Sequence, residues 1–261
     1  MLKLATWNVN SIRIRLPLLE KLAQKENPDI VCLQEVKAKR EDFPFEEIKR
    51  IGFENIALYS MPGYNGVAIL SKLPLYNIRS YHHVGRDDAR HISAKIKNVE
   101  IHNIYIPAGG DVPDEKTNPS FVHKLDFVEE LTEFFEKESD RQKLICGDFN
   151  IAPSENDVWS HKALLQTISH TPIEVEKLRM FFEKGRFVDA VRTIFPEPEK
   201  IYSWWSYRNP NWQKNDKGRR LDHIWTDKSL AESVRNIKIA KEFRAFERPS
   251  DHVPVIADLE I

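Results

Sequence analysis

The chain has 261 residues, 41% hydrophobic and 30% charged, with 39 Lys and Arg against 40 Asp and Glu. This suffices for one large α/β domain with a substantial core, and without a composition break or a Ser/Gly linker a single domain over 1–261 is expected. The net charge of −1 gives no overall signature of a nucleic-acid binder, and two cysteines are too few for a disulfide framework.

Strand-like runs follow one another along the chain: Leu2–Asn8, Ile30–Gln34, Asn55–Tyr59, Val67–Leu70, Ile92–Ile96, Glu100–Ile106, Lys143–Cys146, Tyr202–Tyr207, Leu221–Trp225, Ile237–Ala240 and Val253–Leu259. Helical patterns fall between them at Leu16–Lys25, Phe45–Arg50, Phe121–Glu138 and Ile173–Glu183. Phe121, Leu125, Val128, Leu131 and Phe135 keep helical spacing with acids opposite, which marks an amphipathic surface helix. Lys97-Asn98-Val99 reads as a hairpin turn. Hairpins mixed with helical crossovers argue against a doubly wound parallel sheet and for mixed sheets packed together with helices outside. Cys32 and Cys146 lie in apolar runs and are expected in the core. The first residues lack the basic start and apolar stretch of a secretory leader, and no run is long enough to span a bilayer. A soluble cytoplasmic protein without a membrane partner is therefore expected.

Five polar clusters sit at the ends of, or inside, these apolar runs: Trp7-Asn8, Gln34-Glu35, Gly147-Asp148-Phe149-Asn150, Arg220-Leu221-Asp222 and Asp251-His252. A carboxylate or amide at the tip of a buried strand is costly unless hydrogen-bonded, paired or metal-bound. Five such tips point to one polar site at one sheet edge. Glu35, Asp148, Asp222 and Asp251 in one cleft repel one another unless a cation or a histidinium sits among them. Oxygen ligands without thiolates favour Mg²⁺, with Mn²⁺ as substitute, and zinc is disfavoured because no Cys/His pair has suitable spacing. Such parts suit hydrolysis of a phosphate ester. Base concentrates at Arg208–Arg220 and acid at Asp126–Asp140. The loops 107–119 and 209–218 follow strands that carry site candidates. The second mixes base and aromatic groups, Arg208, Trp212, Lys214, Lys217, Arg219 and Arg220, as a phosphate-binding surface would.

The segments TWNVNSIR (6–13), LQEVK (33–37), NIYIPAG (103–109), GDFNIAP (147–153), YSWWSYR (202–208), GRRLDHIW (218–225) and SDHVPV (250–255) resemble, in order, the exonuclease III family of AP endonucleases within the endonuclease/exonuclease/phosphatase superfamily. The resemblance implies a four-layer α/β sandwich of two packed, mostly antiparallel sheets flanked by helices. It implies that Glu35 is the principal metal ligand, with Asn8 and Asp251 supporting the metal. Asp148 and Asn150 correspond to the pair that activates and orients water, or in some accounts holds a second metal. Asp222 corresponds to the partner of a catalytic His252, and Tyr105 to a tyrosine near the leaving oxygen. Arg90 corresponds to a bracing arginine at the DNA face. Lys37, Trp204, Trp212 and Arg219 are the remaining DNA-binding candidates, with Trp204 and Trp205 alternating so that one faces the site and the other the core.

The activity implied is Mg²⁺-dependent incision 5′ to abasic sites, with 3′-5′ exonuclease and 3′-phosphodiesterase activity, by a monomer on double-stranded DNA with abasic sites or blocked 3′ ends. Tyr105 stands where deoxyribonuclease I-like enzymes carry a histidine. Two positions depart from the family pattern: Gly109-Gly110, where relatives place Asn or Gln, and Arg219, where some eukaryotic relatives have Trp. The rival readings are a metal-dependent phosphatase of a small molecule or lipid head group, and a non-catalytic DNA-binding module. The intact acids, amides and His argue against the second.

Overall fold

The computed structural model describes residues 1–138 and 142–261. The elements in order are β1 (Leu2–Asn8), α1 (Ile12–Glu26), β2 (Ile30–Gln34), α2 (Phe45–Arg50), β3 (Asn55–Tyr59), β4 (Val67–Ser71), β5 (Tyr76–His83), β6 (Arg86–Ile96), β7 (Val99–Tyr105), α3 (Pro119–Lys137), β8 (Lys143–Asp148), α4 (His161–Leu164), α5 (Pro172–Lys184), β9 (Phe187–Asp189), α6 (Ala190–Ile194), α7 (Trp212–Asn215), β10 (Asp222–Asp227), α8 (Lys228–Ala231), β11 (Val234–Ile239) and β12 (Val255–Leu259). They build two six-stranded sheets, in the orders β11-β12-β1-β2-β4-β3 and β5-β6-β7-β8-β10-β9. The middle pair of each sheet is parallel, β1 with β2 and β7 with β8, and each pair is joined through a helix, α1 or α3. The other neighbours are antiparallel.

The alternation of side chains along a strand divides the core. Leu4 of β1 and Cys32 of β2 meet Ile101, Leu144 and Cys146 of the other sheet. Ala5, Trp7, Val31 and Leu33 point the other way, beneath Leu19 and Leu22 of α1. On the far side, Ile145, Phe149 and Trp225 lie beneath Phe127, Leu131 and Phe135 of α3 and Phe181 of α5. Strands buried on both faces read as unbroken apolar runs, which is why β1, β2 and β8 are recognisable in sequence. The layers are those of the expected α/β sandwich, and both cysteines are buried and free. No helix among the described residues is long and apolar enough to cross a membrane.

Helix starts follow capping chemistry. Asn118 accepts from the backbone N–H of Ser120 and Phe121 and precedes Pro119 at the head of α3. Thr171 and Glu174 form a capping box at the head of α5. Lys97 and Asn98 form the expected two-residue hairpin between β6 and β7, with Ile96 opposite Val99.

Three features differ from the sequence reading. Tyr202–Tyr207 forms no strand, only isolated bridges of Trp204 to Arg219 and to His252. The edge strand β5 is mostly exposed and so carries no apolar signal, and β9 has three residues only. The loop 209–218 holds a short helix, α7. The end of the acidic run Asp126–Asp140 lies outside the described residues.

Candidate active site

The carboxyl ends of the two parallel pairs lie together. In the first sheet Asn8 is opposite Gln34, and the chain then turns through Glu35 in a left-handed conformation (φ 50). In the second, Tyr105 is opposite Asp148, and Asp148 is also opposite Asp222 of the antiparallel β10. Gly147 permits this register. A Cβ at its position would lie 1.9 Å from the Ile104 carbonyl oxygen, so only glycine lets β7 and β8 approach here.

At this edge the Asn8 amide joins the sheets. Asn8 Nδ2 donates to Glu35 Oε1 at 2.8 Å and to Asp148 Oδ2 at 2.9 Å. Asp148 also accepts from the Asn150 backbone N–H at 2.9 Å and from Asn150 Nδ2 at 3.2 Å. His252 Nδ1 donates to Asp222 Oδ2 at 2.8 Å, and its Nε2 stands 3.6 Å from Asp148 Oδ2. Burial favours neutral forms here, but the carboxylates around His252 outweigh it. Asp222 and Asp148 push its pKa up to about 10, so the ring is a cation. Asp148 is raised to about 7 by burial and by the charges of Asp222 and Glu35, against the pull of His252 and the Asn8 bond. Tyr105 stacks beneath the Arg90 guanidinium, 4.7 Å to the ring centre. Burial and the Glu35 charge raise its pKa well above the ordinary value, so the hydroxyl keeps its proton.

Glu35 behaves oppositely to Asp148. Burial pushes its pKa up, but the Lys37 charge and the hydrogen bonds from Asn8 and Lys37 bring it below the ordinary carboxylate value. Lys37 Nζ lies 2.6 Å from Glu35 Oε2 and donates to Asn10 Oδ1 at 2.7 Å. Asn10 Nδ2 in turn donates to Asp251 Oδ1 at 3.2 Å, and Trp204 Nε1 donates to Asp251 Oδ2 at 2.9 Å. Four carboxylates thus face two cationic side chains, and the donors are oxygen. That set fits a hard divalent cation, with Glu35, Asn8 and Asp251 as the residues that can hold it. Asp148, Asp222 and His252 also offer ligand atoms within 4.8 Å of one another. A cation there would have to displace the Nε2 proton of a His252 held as a cation, so the Glu35 side is the better seat.

A cleft of about 590 Å³ opens over this floor, lined by Glu35, Asn150, Trp204, Arg219, Asp251 and His252 among others. Trp204 faces it while Trp205 is fully buried, as the alternation required. The Arg219 guanidinium lies 5.1 Å from the centre of the Trp204 ring. Arg90 braces the site, bonding Asp88, Asn65 and the Tyr105 carbonyl. Trp212 lies elsewhere: it packs on Trp205, 5.3 Å between ring centres. Arg220 is 1% exposed and ion-paired with Asp157 and Asp189, which removes it from any phosphate-binding surface. Sequence reasoning missed Asn10, which links Lys37 to Asp251. The available signal was a second amide two residues beyond Asn8.

Residues 5–252 match the model of the endonuclease/exonuclease/phosphatase family. The chain belongs to that family. It is 32% identical to the exodeoxyribonuclease III of Haemophilus influenzae, covering 99% of this chain and all of the other. It is 29% identical to an exodeoxyribonuclease of Bacillus subtilis, with 97% and 98% covered. Among solved structures, an AP endonuclease from Archaeoglobus fulgidus superposes with a TM-score of 0.93 at 32% identity, and a 3′ phosphatase from Neisseria bound to a product DNA hairpin with 0.92 at 30%, both chains covered fully in each case. The protein is a phosphodiester hydrolase of the exodeoxyribonuclease III and AP endonuclease type.

Proposed function

We propose that the protein is a Mg²⁺-dependent DNA repair nuclease, with Mn²⁺ able to substitute, that incises double-stranded DNA 5′ to abasic sites and removes 3′ blocking groups and 3′-terminal nucleotides. It is read as a single domain over 1–261, acting as a cytoplasmic monomer. The observation that carries this reading is the placement of Asp148, Asn150, His252 and Asp222 beside Glu35 on the floor of a cleft walled by Trp204 and Arg219. The DNA-bound Neisseria relative and the relatives named exodeoxyribonuclease support the substrate class.

Asp148, near neutrality in its pKa, takes a proton from the attacking water, and Asn150, bonded to it, orients that water. As the new P–O bond forms and the bond to the leaving sugar oxygen breaks, charge grows on the phosphoryl oxygens. His252, held as a cation by Asp222, presents Nε2–H to that charge. The Tyr105 hydroxyl, still protonated, is available to the leaving oxygen. When bound beside Glu35, Mg²⁺ supplies Lewis-acid charge to the phosphate. The rest is positioning by the protein.

The test is incision of a duplex with one abasic site, alongside a duplex with a 3′-phosphate end, with Mg²⁺ and with chelator. Cleavage of both that chelator abolishes is expected. Turnover of soluble phosphates with no action on either duplex would overturn the reading in favour of a small-molecule phosphatase.

A further inference from the structure

Behind the cleft lies an ion pair that the mechanism does not use. Lys124 of α3 and Glu174 of α5 meet with both side chains at 0% exposure. Lys124 Nζ also donates to the Asn150 carbonyl at 2.8 Å and to the Ala108 carbonyl at 3.3 Å. The Glu174 carboxylate accepts from the Ser169 backbone N–H at 2.9 and 3.0 Å, from the Thr171 N–H at 3.1 Å and from the Thr171 hydroxyl at 2.7 Å. One buried pair therefore fastens three loops: the one after Tyr105, the one after Asp148 and the one before α5. All three loops line the cleft.

The last loop holds Arg219. Its Nη1 donates to Ser169 Oγ at 2.7 Å and to the Ile168 carbonyl at 3.0 Å, while its guanidinium lies over Trp204. Arg219 thus spans from the Trp204 wall to the opposite wall. Its anchor, Ser169, sits at φ 88, a conformation that a side-chain-bearing residue keeps only when its surroundings impose it. Here the imposed contact is the pair of bonds from Ser169 N–H to Glu174.

A buried ion pair is poor value as a source of stability. Desolvation offsets its attraction, and apolar replacements of similar volume are often neutral or stabilising. What Lys124 and Glu174 do that an apolar pair cannot is bind five backbone and hydroxyl groups of these loops at fixed positions. We infer that Lys124 and Glu174 are positioning residues for specificity. They lock Ser169, and through it Arg219, as a rigid wall that sets the width of the cleft. A sugar-phosphate lacking its base enters, and an intact nucleotide is held out. This rests on the nuclease reading above.

Removing both charges together, as Lys124→Met with Glu174→Gln, avoids stranding one of them. Ser169→Gly removes the hydroxyl anchor while keeping the positive φ accessible. Two quantities are compared with wild type. One is binding of a duplex bearing a tetrahydrofuran abasic analogue against intact duplex, in chelator. The other is the ratio of kcat/KM for the two with Mg²⁺, split into kcat and KM. Each variant is expected to lower the abasic-over-intact preference about tenfold. Combining them should lower it little further, because both act through Arg219, and the thermal midpoint of Ser169→Gly should stay near wild type. An unchanged preference in Ser169→Gly would overturn the inference, whatever the double charge variant does to folding. A wild type that neither binds nor cuts the abasic duplex would instead sink the nuclease reading.

Discussion

In the first sheet the parallel pair β1–β2 delivers Asn8 and Glu35. In the second the pair β7–β8 delivers Tyr105 and Asp148 at the same edge. The scaffolds match, a buried parallel pair with its helical crossover, yet the two carboxylates are driven in opposite directions. Glu35 has Lys37 against one oxygen and is held ionised below its ordinary pKa. Asp148 faces Asp222 as well as His252 and is lifted to about 7. Burial pushes both upward, and more completely at Asp148, whose side chain is 1% exposed against 18% for Glu35. At Glu35 the Lys37 cation and the hydrogen bonds outweigh burial, whereas at Asp148 the like charges of Asp222 and Glu35 oppose the pull of His252 and burial prevails. The fold supplies two similar ledges, and on the proposed function their surroundings suit one to cation binding and the other to proton transfer.

The largest effect should come from the second ledge. Asp148→Asn removes the proton acceptor, and the single-turnover incision rate should fall by about 10⁴ without recovery at high Mg²⁺. Recovery by added metal would move Asp148 to the cation side. Next comes the imidazole unit. Asp222→Asn and His252→Asn should each cost about 10³ and the double variant scarcely more, because the two act as one. Additive penalties would show that they act separately. On the first ledge, Glu35→Gln should cost about 10² at a fixed low Mg²⁺ concentration and be partly restored as Mg²⁺ is raised. A mutant whose Mg²⁺ titration overlays wild type would take Glu35 out of the cation site.

The smallest effect contrasts the two faces of β10. Asp222 faces the site, while His223, its neighbour in sequence, faces the helix layer, stacked on Phe149 and bonded to the Ile151 carbonyl. Burial and the Arg220 charge hold His223 down to about 4. The folded protein keeps it neutral while the unfolded chain takes up a proton near 6.5, so its contribution is complete above about 6.5 and is lost as pH falls towards 4. Asp148, raised to about 7, works in the opposite sense over the same window. The measurement is therefore the difference between wild type and His223→Phe in urea stability at pH 7.5 and 5. The variant should lose less on acidification, by on the order of 1 kcal/mol or more. Equal losses would show that His223 already carries a proton in the fold.

How much of this was legible follows from where each residue sits. Glu35, Asp148, Asp222 and His252 could be read because each adjoins an apolar run, and a polar tip on a buried strand calls for an explanation. The double-sided burial of β1, β2 and β8 made those runs visible, with boundaries close to those observed. Lys124 and Glu174 were invisible. Each lies within an amphipathic helix rich in charge, and nothing local distinguishes a lysine turned inward from its solvated neighbours. Arg220 misled for the related reason that a basic loop does not reveal which of its arginines is buried against Asp157. Trp204 and Trp205 were divided correctly between cleft and core although their segment is not a strand, since two bridges suffice to impose the alternation.

β12 lies between β11 and β1, with Leu259 opposite Leu2. Ser250, Asp251 and His252 stand just before it, and Ser250 Oγ donates to the Asn8 carbonyl at 2.7 Å. Inserting this strand therefore completes the first sheet and brings His252 to the site in the same movement. A growing polypeptide that has not yet emitted these residues possesses Glu35 and Asp148 but no histidine to answer them.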